Sequence, residues 1–194
     1  MRIIAGSAKG RRFEAPEGQD TRPTLDRVKE ALFGSIQFDL PDASVLDLFS
    51  GSGNLGLEAV SRGARTAVLN DSSPACAALI RKNAEATGLS DRVSVWQSDY
   101  REAIARAARQ GLTFDVAFID APYHTGLAED AARSLFSEGL IKQGGFVIVE
   151  HARDNPPPAI ENLTSIAWTH SYGTCGLTKL KGETDADLRI SGQL

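Results

Sequence analysis

The sequence predicts an α/β fold: a doubly wound, mostly parallel seven-stranded sheet that ends in an antiparallel hairpin. From residue 44 onward, short apolar segments alternate with helical ones, which is the pattern of strand–helix–strand units. The segment 114–119 is almost continuously apolar, as in a strand that is covered on both faces. The last two strand-like segments are joined too tightly for a helical crossover, so we expect them to pair antiparallel.

The individual elements follow from local signals. Ser73 is placed to cap a helix whose first position is Pro74, where a missing N–H is tolerated. Three consecutive prolines at 156–158 exclude regular structure and predict a loop. Strands are predicted at 44–49, 66–70, 93–97, 114–119, 145–150, 165–170 and 176–180, and helices at 24–37, 55–62, from 74 onward, 100–109 and 127–135.

The start of the chain differs from the alternating pattern that follows it. Two short stretches, residues 2–5 and 11–15, flank a glycine-containing turn at 6–10, and this pattern predicts a β-hairpin with a longer loop. The helix predicted at 24–37 completes the segment. We therefore expect residues 1–40 to form an N-terminal extension and residues 41–194 to form the main domain. The extension opens with a group of cations and no acid, which forms either a solvated face or a contact surface for an anionic partner: Arg2, Lys9, Arg11 and Arg12.

The composition narrows the class of protein. The chain has 194 residues, 42% hydrophobic and 24% charged, so it can bury a full core as an ordinary globular protein. No apolar run reaches the ~18 residues of a membrane span, and no secretory leader is recognisable. Cys76 and Cys175 give no disulfide framework, so we expect a cytoplasmic protein without a metal site. A net charge of −4 argues against nonspecific coating of nucleic acid.

A glycine-rich loop follows the first predicted strand and opens a helix. It runs from Asp47 to Gly56, and an acid, Asp71, lies about 20 positions beyond Gly51. Glycines let a ligand approach the backbone, the helix N-terminus offers free N–H groups, and an acid at this spacing suits the hydroxyls of a ribose. The candidate cofactor-binding residues of this region are Asp47, Phe49, Gly51, Gly53, Leu55, Asp71, Asp99 and Tyr100.

Two cofactors suit such a loop, and a glycine turn without a ligand is the third alternative. A nicotinamide dinucleotide would place its pyrophosphate at the helix N-terminus. S-adenosylmethionine has no phosphate and carries an ammonium on its methionine end, which an acid at the end of the first strand would bind. Asp47 occupies that position and would repel a pyrophosphate, and Asp99 is placed to accept a hydrogen bond from adenine. These residues favour S-adenosylmethionine.

A second candidate site follows the fourth predicted strand, at the edge where open α/β sheets bind ligands. An exocyclic amine on a nucleobase is a poor nucleophile because its lone pair is delocalised into the ring. Asp120 and a main-chain carbonyl nearby can each accept one amine hydrogen and aim the lone pair at a methyl donor. An aromatic ring can stack on a base taken out of its helix. The candidate catalytic residues are Asp120, Ala121, Pro122 and Tyr123, and the alternative is a plain turn.

These motifs together resemble the RsmD family, bacterial methyltransferases that act on guanine N2 of small-subunit (16S) ribosomal RNA. The similarity covers nearly the whole chain and is most specific at 21–24 and 26–33. It implies a Rossmann-like S-adenosylmethionine-dependent methyltransferase fold and an N-terminal hairpin, residues 2–12, that meets RNA. It also implies that three residues line the methionine end of the cofactor: Arg22, Pro23 and Thr24.

The chain departs from the family pattern in two places. The usual Asp-Pro-Pro-Tyr is Asp-Ala-Pro-Tyr here, and Ala121 keeps the carbonyl but frees φ. We expect activity to survive this change, with a looser orientation of the amine. Asn70 stands where family members usually have an apolar residue, and the sequence alone gives no meaning to it.

The resemblance makes guanine-N2 methylation of small-subunit ribosomal RNA, free or in a partly assembled 30S particle, the leading function. The tetrapeptide is shared with many amino-methyltransferases, so adenine-N6 methylation of DNA or RNA is the alternative. A dinucleotide-dependent oxidoreductase is a more distant interpretation of the glycine loop. A non-catalytic ribosome-assembly binder is disfavoured because Asp120 and Tyr123 are both present.

Overall fold

The computed structural model describes residues 1–16 and 23–183. Within this part of the chain, the helices are α1 (Pro23–Ser35), α2 (Asn54–Ser61), α3 (Pro74–Thr87), α4 (Tyr100–Arg109) and α5 (Leu127–Ser137). The strands are β1 (Ser44–Asp47), β2 (Thr66–Asp71), β3 (Val93–Gln97), β4 (Phe114–Ile119), β5 (Ile141–Ala152), β6 (Thr164–Tyr172) and β7 (Cys175–Gly182). A short 3-10 turn, Ser90–Arg92, leads into β3.

The strands form one mixed sheet in the order β3-β2-β1-β4-β5-β7-β6. β1, β2 and β3 pair in parallel, as do β4 and β5, whereas β7 runs antiparallel to both β5 and β6. The α/β class, the seven strands and the antiparallel terminal pair are therefore confirmed. Among the residues that the structure describes, no helix is long and apolar enough to cross a membrane.

The chain divides into two compact units, of which the first spans Met1–Ala103. Its core forms where α2 and α3 pack on β1, β2 and β3. Gly56 allows α2 to approach β2 closely, because a Cβ at this position would lie 2.7 Å from the side chain of Leu69. Completely buried side chains of this core include Leu46, Leu48, Leu57, Leu69 and Ile80.

Most predicted elements of this unit are found, with shifted ends. Ser73 caps α3 by accepting a hydrogen bond from the N–H of Cys76, and Pro74 is the first helical residue. β3 has its predicted bounds. β1 ends at Asp47 rather than at residue 49, because the Ser50 hydroxyl donates to the Asp47 carbonyl at 2.7 Å and turns the chain into the glycine loop.

The N-terminal segment, residues 1–16, pairs with itself at a single β-bridge between Arg2 and Arg12. A few backbone hydrogen bonds accompany the bridge, such as the one from the Ile3 N–H to the Arg11 carbonyl at 3.0 Å. The predicted hairpin is thus shorter than expected, because several N–H groups of the segment are bound by α2 instead of by a partner strand.

The completely buried Glu58 of α2 makes that attachment. Its carboxylate accepts the N–H groups of Ile4 at 2.8 Å and Ala5 at 3.0 Å. It also pairs with Lys29 at 3.2 Å and with Arg62 at 2.7 Å. Burial lowers the pKa of Lys29 and the Glu58 carboxylate opposes that shift. Removal of Glu58 would leave the buried Lys29 ammonium without this ion pair and the two N–H groups without their acceptor, so the segment is attached through the core of this unit.

Asn83 in α3 fixes the other end of the segment to the glycine loop. Its amide donates to the carbonyls of Glu14 at 3.0 Å and Ser52 at 2.9 Å. The amide oxygen accepts the Glu14 N–H at 3.0 Å. Asn83 is 1% exposed, and these three bonds satisfy its polar atoms inside the protein. The N-terminal segment and the candidate cofactor loop are therefore held by one side chain.

The second unit begins at Ile104 and contains β4, β5, β7 and β6. β5 starts at Ile141, earlier than the predicted residue 145, because Gly144 and Gly145 lie within the strand and not in a turn. The register against β4 shifts at this point. α4 and β4 have their predicted bounds, and α5 packs on β5. The buried core of the unit includes Phe118, Leu135, Ile148, Val149 and Leu180.

Candidate active site

The side chain of Asp47 lies inside the first unit, at the carboxyl end of β1, and is 1% exposed. Its Oδ2 accepts the N–H of Gly56, in the first turn of α2, at 2.9 Å. Its Oδ1 is buried and has no hydrogen-bond partner among the residues of the described ranges. Since buried polar atoms in proteins are almost always paired, Oδ1 is suited to accept a hydrogen bond from a ligand.

The charge state of Asp47 indicates which ligand group fits. Burial raises the pKa of this carboxyl to about 7, with a further upward contribution from Asp71, while hydrogen bonds from Gly56 and Ser50 oppose the rise. The group is thus balanced between its neutral and ionised forms near neutral pH. A cationic donor at Oδ1 would favour the carboxylate, whereas a pyrophosphate would meet an acid of the same sign. The geometry fits an ammonium group and disfavours a dinucleotide.

Asp71, the last residue of β2, shapes the glycine loop. Its Oδ2 accepts the N–H of Gly51 and its Oδ1 accepts the N–H of Ser73, both at 2.9 Å. Gly51 and Gly53 have φ values of 57° and 84°, in the left-handed region that favours glycine. Each carboxylate oxygen retains a second lone pair, so a role in holding ribose hydroxyls is compatible with this loop contact and stays a prediction.

Asn70 connects the three strand ends around this loop. Its amide donates to the carbonyls of Leu48 at 3.1 Å and Ser98 at 3.0 Å, and its oxygen accepts the Ser98 hydroxyl at 2.9 Å. The side chain is 1% exposed. Sequence reasoning assigned no role to Asn70. The signal for such a role is an amide in place of the usual apolar residue near the end of a strand, because a buried amide must find hydrogen-bond partners nearby.

The remaining predicted residues of the first unit lie around the same strand ends. The rings of Phe49 and Tyr100 pack with centroids 5.4 Å apart, and Tyr100 is 4% exposed. Asp99 is exposed, and its Oδ1 accepts the N–H of Arg101 at 2.9 Å in the first turn of α4. Leu55 is half-buried at the start of α2. Their contact with a cofactor stays a prediction.

The tetrapeptide Asp120–Tyr123 lies in the second unit, directly after β4. Ala121 is 3% exposed and anchors the turn, while Asp120 is exposed. The Thr125 hydroxyl donates to the Pro122 carbonyl at 2.7 Å and fixes its direction. A cleft opens here, lined by Ala121–Tyr123 and the residues after them and by the carboxyl end of β5, with Tyr123, His124, Glu150 and His151 among its residues.

Glu150, near the end of β5, holds the ring of Tyr123. The Tyr123 hydroxyl donates to Glu150 Oε1 at 3.0 Å, and 41% of the Tyr123 side chain remains exposed. Burial and the nearby Glu150 carboxylate raise the pKa of Tyr123, so its hydroxyl stays a donor. Burial raises the pKa of the Cys175 thiol to about 12, and the charge of the Glu150 carboxylate adds to the rise. A thiol with this pKa is not a thiolate nucleophile. No pattern in the sequence indicated Glu150.

The match to a protein family spans nearly the whole chain. The family described as conserved hypothetical protein 95 matches residues 1–180, and this is the RsmD family. The chain belongs to the RsmD family. The resemblance noted in the N-terminal motifs and the glycine loop is thereby confirmed.

Relatives of this RsmD-family chain are similar over nearly their full length. Ribosomal RNA small subunit methyltransferase D of Escherichia coli is 33% identical over 191 residues, which cover 96% of this chain and 94% of the relative. A solved structure from Escherichia coli, provisionally designated a methyltransferase, has a TM-score of 0.80 and 32% identity, with 95% and 99% of the two chains covered. An RNA methyltransferase of Salinibacter ruber, solved with S-adenosylhomocysteine, has a TM-score of 0.64, 17% identity and coverage of 86% and 95%, and shares the fold.

Three cofactor-binding residues expected from the family lie where the structure says little of them. Arg22 is outside the described residues. Pro23 and Thr24 form the first turn of α1, and their side chains are not described. Their contact with the methionine end of a cofactor stays a prediction.

The four predicted RNA-contacting cations differ in what they already bind. Arg2 pairs with Asp26 at 3.0 Å, and Arg11 donates to the Thr87 carbonyl at the end of α3 at 2.7 Å. Lys9 and Arg12 are exposed. All four are exposed, but Arg2 and Arg11 also make contacts within the protein, so Lys9 and Arg12 are the better candidates for pairing with a polyanion.

Proposed function

We propose that this protein transfers a methyl group from S-adenosylmethionine to the exocyclic N2 of a guanine in small-subunit (16S) ribosomal RNA. Ribosomal RNA methylation is the activity in the name of its Escherichia coli relative, which is 33% identical over 96% of this chain. The observation that carries the proposal is the Asp120–Tyr123 turn at the end of β4, with the Tyr123 ring held by Glu150 at 3.0 Å. Acid, carbonyl and aromatic ring are the groups that amine methylation of a base needs.

The cofactor assignment rests on Asp47. Its unpaired buried Oδ1 is suited to an ammonium donor, and the glycine loop leaves the backbone open to close approach. When bound, S-adenosylmethionine supplies a methyl group made electrophilic by the attached sulfonium. Asp71 and Asp99 offer acceptors for ribose hydroxyls and for the adenine amine, and the half-buried Phe49, backed by the buried Tyr100, offers a ring face.

Asp120 would act on the target amine. Its carboxylate accepts one amine hydrogen, and a main-chain carbonyl of the tetrapeptide accepts the other, which directs the nitrogen lone pair. As the nitrogen gains positive charge, the interaction with a carboxylate becomes stronger than in the ground state, so it lowers the barrier. Ala121 preserves the carbonyl found in the usual family motif. Glu150 acts through Tyr123 and is a positioning residue.

The N-terminal segment would contribute to binding of RNA. Lys9 and Arg12 are exposed and can pair with phosphates, while the protein as a whole has a net charge of −4. A local basic surface on an acidic protein favours docking at a defined place over nonspecific coating. We accordingly propose residues 1–40 as the RNA-contacting extension.

The test is methyl transfer in vitro followed by nucleoside mass spectrometry. Purified protein and labelled S-adenosylmethionine are incubated with unmethylated small-subunit RNA, with small-subunit particles, and with duplex DNA. The expected product is N2-methylguanosine from RNA or particles. N6-methyladenosine from any substrate would favour the alternative, adenine methylation, and no transfer to any substrate would contradict the proposal.

Asp120→Asn and Asp120→Ala serve as matched variants in this assay. We expect Asp120→Ala to lower single-turnover rates by roughly 10²–10³, the usual effect of removing one preorganised catalytic group. The asparagine variant should lose less, because its carbonyl still accepts a hydrogen bond but carries no charge. Affinity for S-adenosylmethionine should change by no more than a few-fold in either variant. Transfer at the wild-type rate in Asp120→Ala would mean that the turn has no catalytic role.

A further inference from the structure

β6 is the outermost strand of its sheet, and most of its side chains are exposed. β6 pairs with β7 only and has β7 between it and β5. Along Thr164–Tyr172 only Thr164 is buried, and Ile166 is 45% exposed. Edge strands are usually protected by charges, proline or a covering element, because a long exposed edge invites association. The exposed residues of β6 are therefore a candidate binding surface.

One face of β6 carries a row of aromatic rings. Trp168, His170 and Tyr172 alternate along the strand and so project from the same face. Their partners on β7 are Lys179, Leu177 and Cys175. On the opposite face, which is also exposed, the Thr169 hydroxyl bonds the Thr178 hydroxyl at 2.9 Å. We call the three-ring face the aromatic row: Trp168, His170 and Tyr172.

The geometry of the aromatic row suits flat rings. Trp168 and His170 stack on each other, with centroids 4.7 Å apart and planes inclined by 28°. Same-face neighbours on a strand are about 6.6–6.8 Å apart, which is close to the thickness of one base sandwiched between two rings. In Trp168 and His170 the rings instead lean together into one stacked platform, and His170 is exposed while Trp168 and Tyr172 are half-buried, so a base can stack on the accessible end of this platform.

The charge of this region favours a polyanion. Residues 164–182 contain two lysines, Lys179 and Lys181, and no acid, although the whole chain has a net charge of −4. Lys181 is exposed, while Lys179 packs over the ring of Phe146. Stacking rings beside a lysine are the pattern by which proteins hold unpaired nucleotides, and the acid on this face, Glu150, lies at the end of the row that adjoins Tyr123.

The aromatic row continues into the candidate catalytic turn of the same unit. Tyr172 is paired with Cys175, and Cys175 is paired with Ala152 of β5, two residues beyond Glu150. Glu150 lies on this face as well, because it pairs with Leu177, and it already accepts the Tyr123 hydroxyl at 3.0 Å. Nucleotides bound along β6 would thus adjoin the ring that is proposed to stack on the target base.

We propose that the aromatic row of β6 binds unpaired RNA nucleotides that flank the target guanine. The proposal rests on the proposed function, because it assigns the flanking part of the same substrate. Stacking on ring faces tolerates different bases, so the aromatic row supplies affinity and holds the flanking RNA unpaired. The catalytic turn selects the base that is modified.

Tryptophan fluorescence provides a direct binding test that needs no methyl transfer. The chain has two tryptophans, Trp96 and Trp168, and Trp96 is 6% exposed in the core. A base stacked on Trp168 should quench its emission when a single-stranded RNA oligonucleotide of about ten nucleotides, a typical site size, is titrated in. The same strand annealed to its complement should quench little. Trp168→Phe supplies the background emission from Trp96.

The kinetic test uses variants on the two faces of β6. Trp168→Ala and His170→Ala should each raise the KM for small-subunit RNA about tenfold and leave kcat and S-adenosylmethionine affinity nearly unchanged. Trp168→Phe keeps a stacking ring and should restore most of the affinity. Ser171→Ala, on the opposite face of the same strand, is the matched control and should behave as wild type.

The outcomes separate this proposal from the proposed function. Quenching by single-stranded RNA in a protein that transfers no methyl group would support the aromatic row and contradict the methyltransferase. Normal methyl transfer with an unchanged KM in both alanine variants would support the methyltransferase and contradict the role of the aromatic row. If Trp168→Ala instead converts a dimer to a monomer in sedimentation, with RNA affinity unchanged, β6 is a self-association surface and the proposal is wrong.

Discussion

At the scale of single residues, Asp47 controls the charge of the candidate cofactor site. Burial raises its pKa from 3.8 to about 7, above the value in an unfolded chain. The proton that the folded state retains therefore stabilises the protein fully below about pH 3.8, and this contribution disappears as the pH rises through about 7. A cationic ligand group bound to Oδ1 would lower the pKa and stabilise the ionised form.

Binding of S-adenosylmethionine should consequently depend on pH. We expect its affinity to fall as the pH drops below about 7, by up to about tenfold per pH unit, because a proton on Asp47 competes with the ligand's ammonium. Isothermal titration calorimetry at pH values on both sides of 7 measures this directly.

Asp47→Asn is the control for that profile. Asparagine keeps an oxygen for the Gly56 N–H, so the fold should persist, but it has no charge to titrate. Its affinity should be lower than that of wild type above pH 7 and should lack the pH dependence assigned to Asp47. A wild-type profile that is flat, or one that survives in Asp47→Asn, would exclude Asp47 as the ammonium-binding group.

Glu150 and Tyr123 should behave as one functional pair. Removing either the carboxylate, in Glu150→Ala, or the hydroxyl, in Tyr123→Phe, breaks the same 3.0 Å hydrogen bond. We expect both variants to lower kcat, and the double variant to lower it little further, with a coupling of about 1 kcal/mol. Glu150→Gln, which still accepts the hydroxyl, should recover part of the activity. Strictly additive effects would mean that Glu150 does not position Tyr123.

The residues differ in how well the sequence predicted them. Asp47 and Asp71 were predictable because each follows a strand at a spacing that marks a nucleotide loop. Asn70 and Glu150 were not, because their roles depend on partners from neighbouring strands. Glu150 meets Tyr123 from 27 positions away, across a parallel strand pair, and no local motif records such a contact.

At the scale of elements, the N-terminal segment combines a structural and a proposed functional role. Its N–H groups bind Glu58 in the core, and its Glu14 backbone binds Asn83. These contacts hold the exposed Lys9 and Arg12 in place without using their charges. The cations of this segment should therefore separate into two kinds by mutation.

Lys9→Gln and Arg12→Gln should weaken RNA binding and reduce its salt dependence by roughly 0.7–0.9 in slope for each phosphate that the variant no longer neutralises. Arg11→Gln should instead lower the free energy of unfolding by about 1 kcal/mol, because it removes the 2.7 Å bond to the Thr87 carbonyl. Anisotropy titrations over a salt series and urea denaturation check the two effects. If Arg11→Gln changed the salt slope as much as Lys9→Gln, this division of roles would be wrong.

Element prediction succeeded where a single segment decides its own structure. The predicted bounds of β3, α4 and β4 match the observed ones, because each segment carries its own local signal, which for β4 is a nearly continuous apolar run. β1, β5 and the N-terminal hairpin were misjudged at their ends, because side chains such as Ser50 and Glu58 bind backbone groups that a strand would use. Gly144 and Gly145 resembled a turn and instead lie within β5.

At the scale of the whole molecule, alternating strands and helices determined the α/β class, but not the order of all strands. The antiparallel pairing of β6 and β7 followed from their tight connection. The position of β7 between β5 and β6 did not, because it depends on which strand edge the returning chain covers. That order leaves β6 outermost, which is why its aromatic row is exposed.

The central claim is that this protein methylates guanine N2 in small-subunit ribosomal RNA through Asp120. Its most direct test is mass spectrometry of small-subunit RNA from a strain that lacks the protein, complemented with wild type or with Asp120→Ala. We expect one N2-methylguanosine to be absent in the deletion, restored by wild type and not restored by Asp120→Ala. An unchanged set of N2-methylguanosines in the deletion strain, or full restoration by Asp120→Ala, would contradict the account.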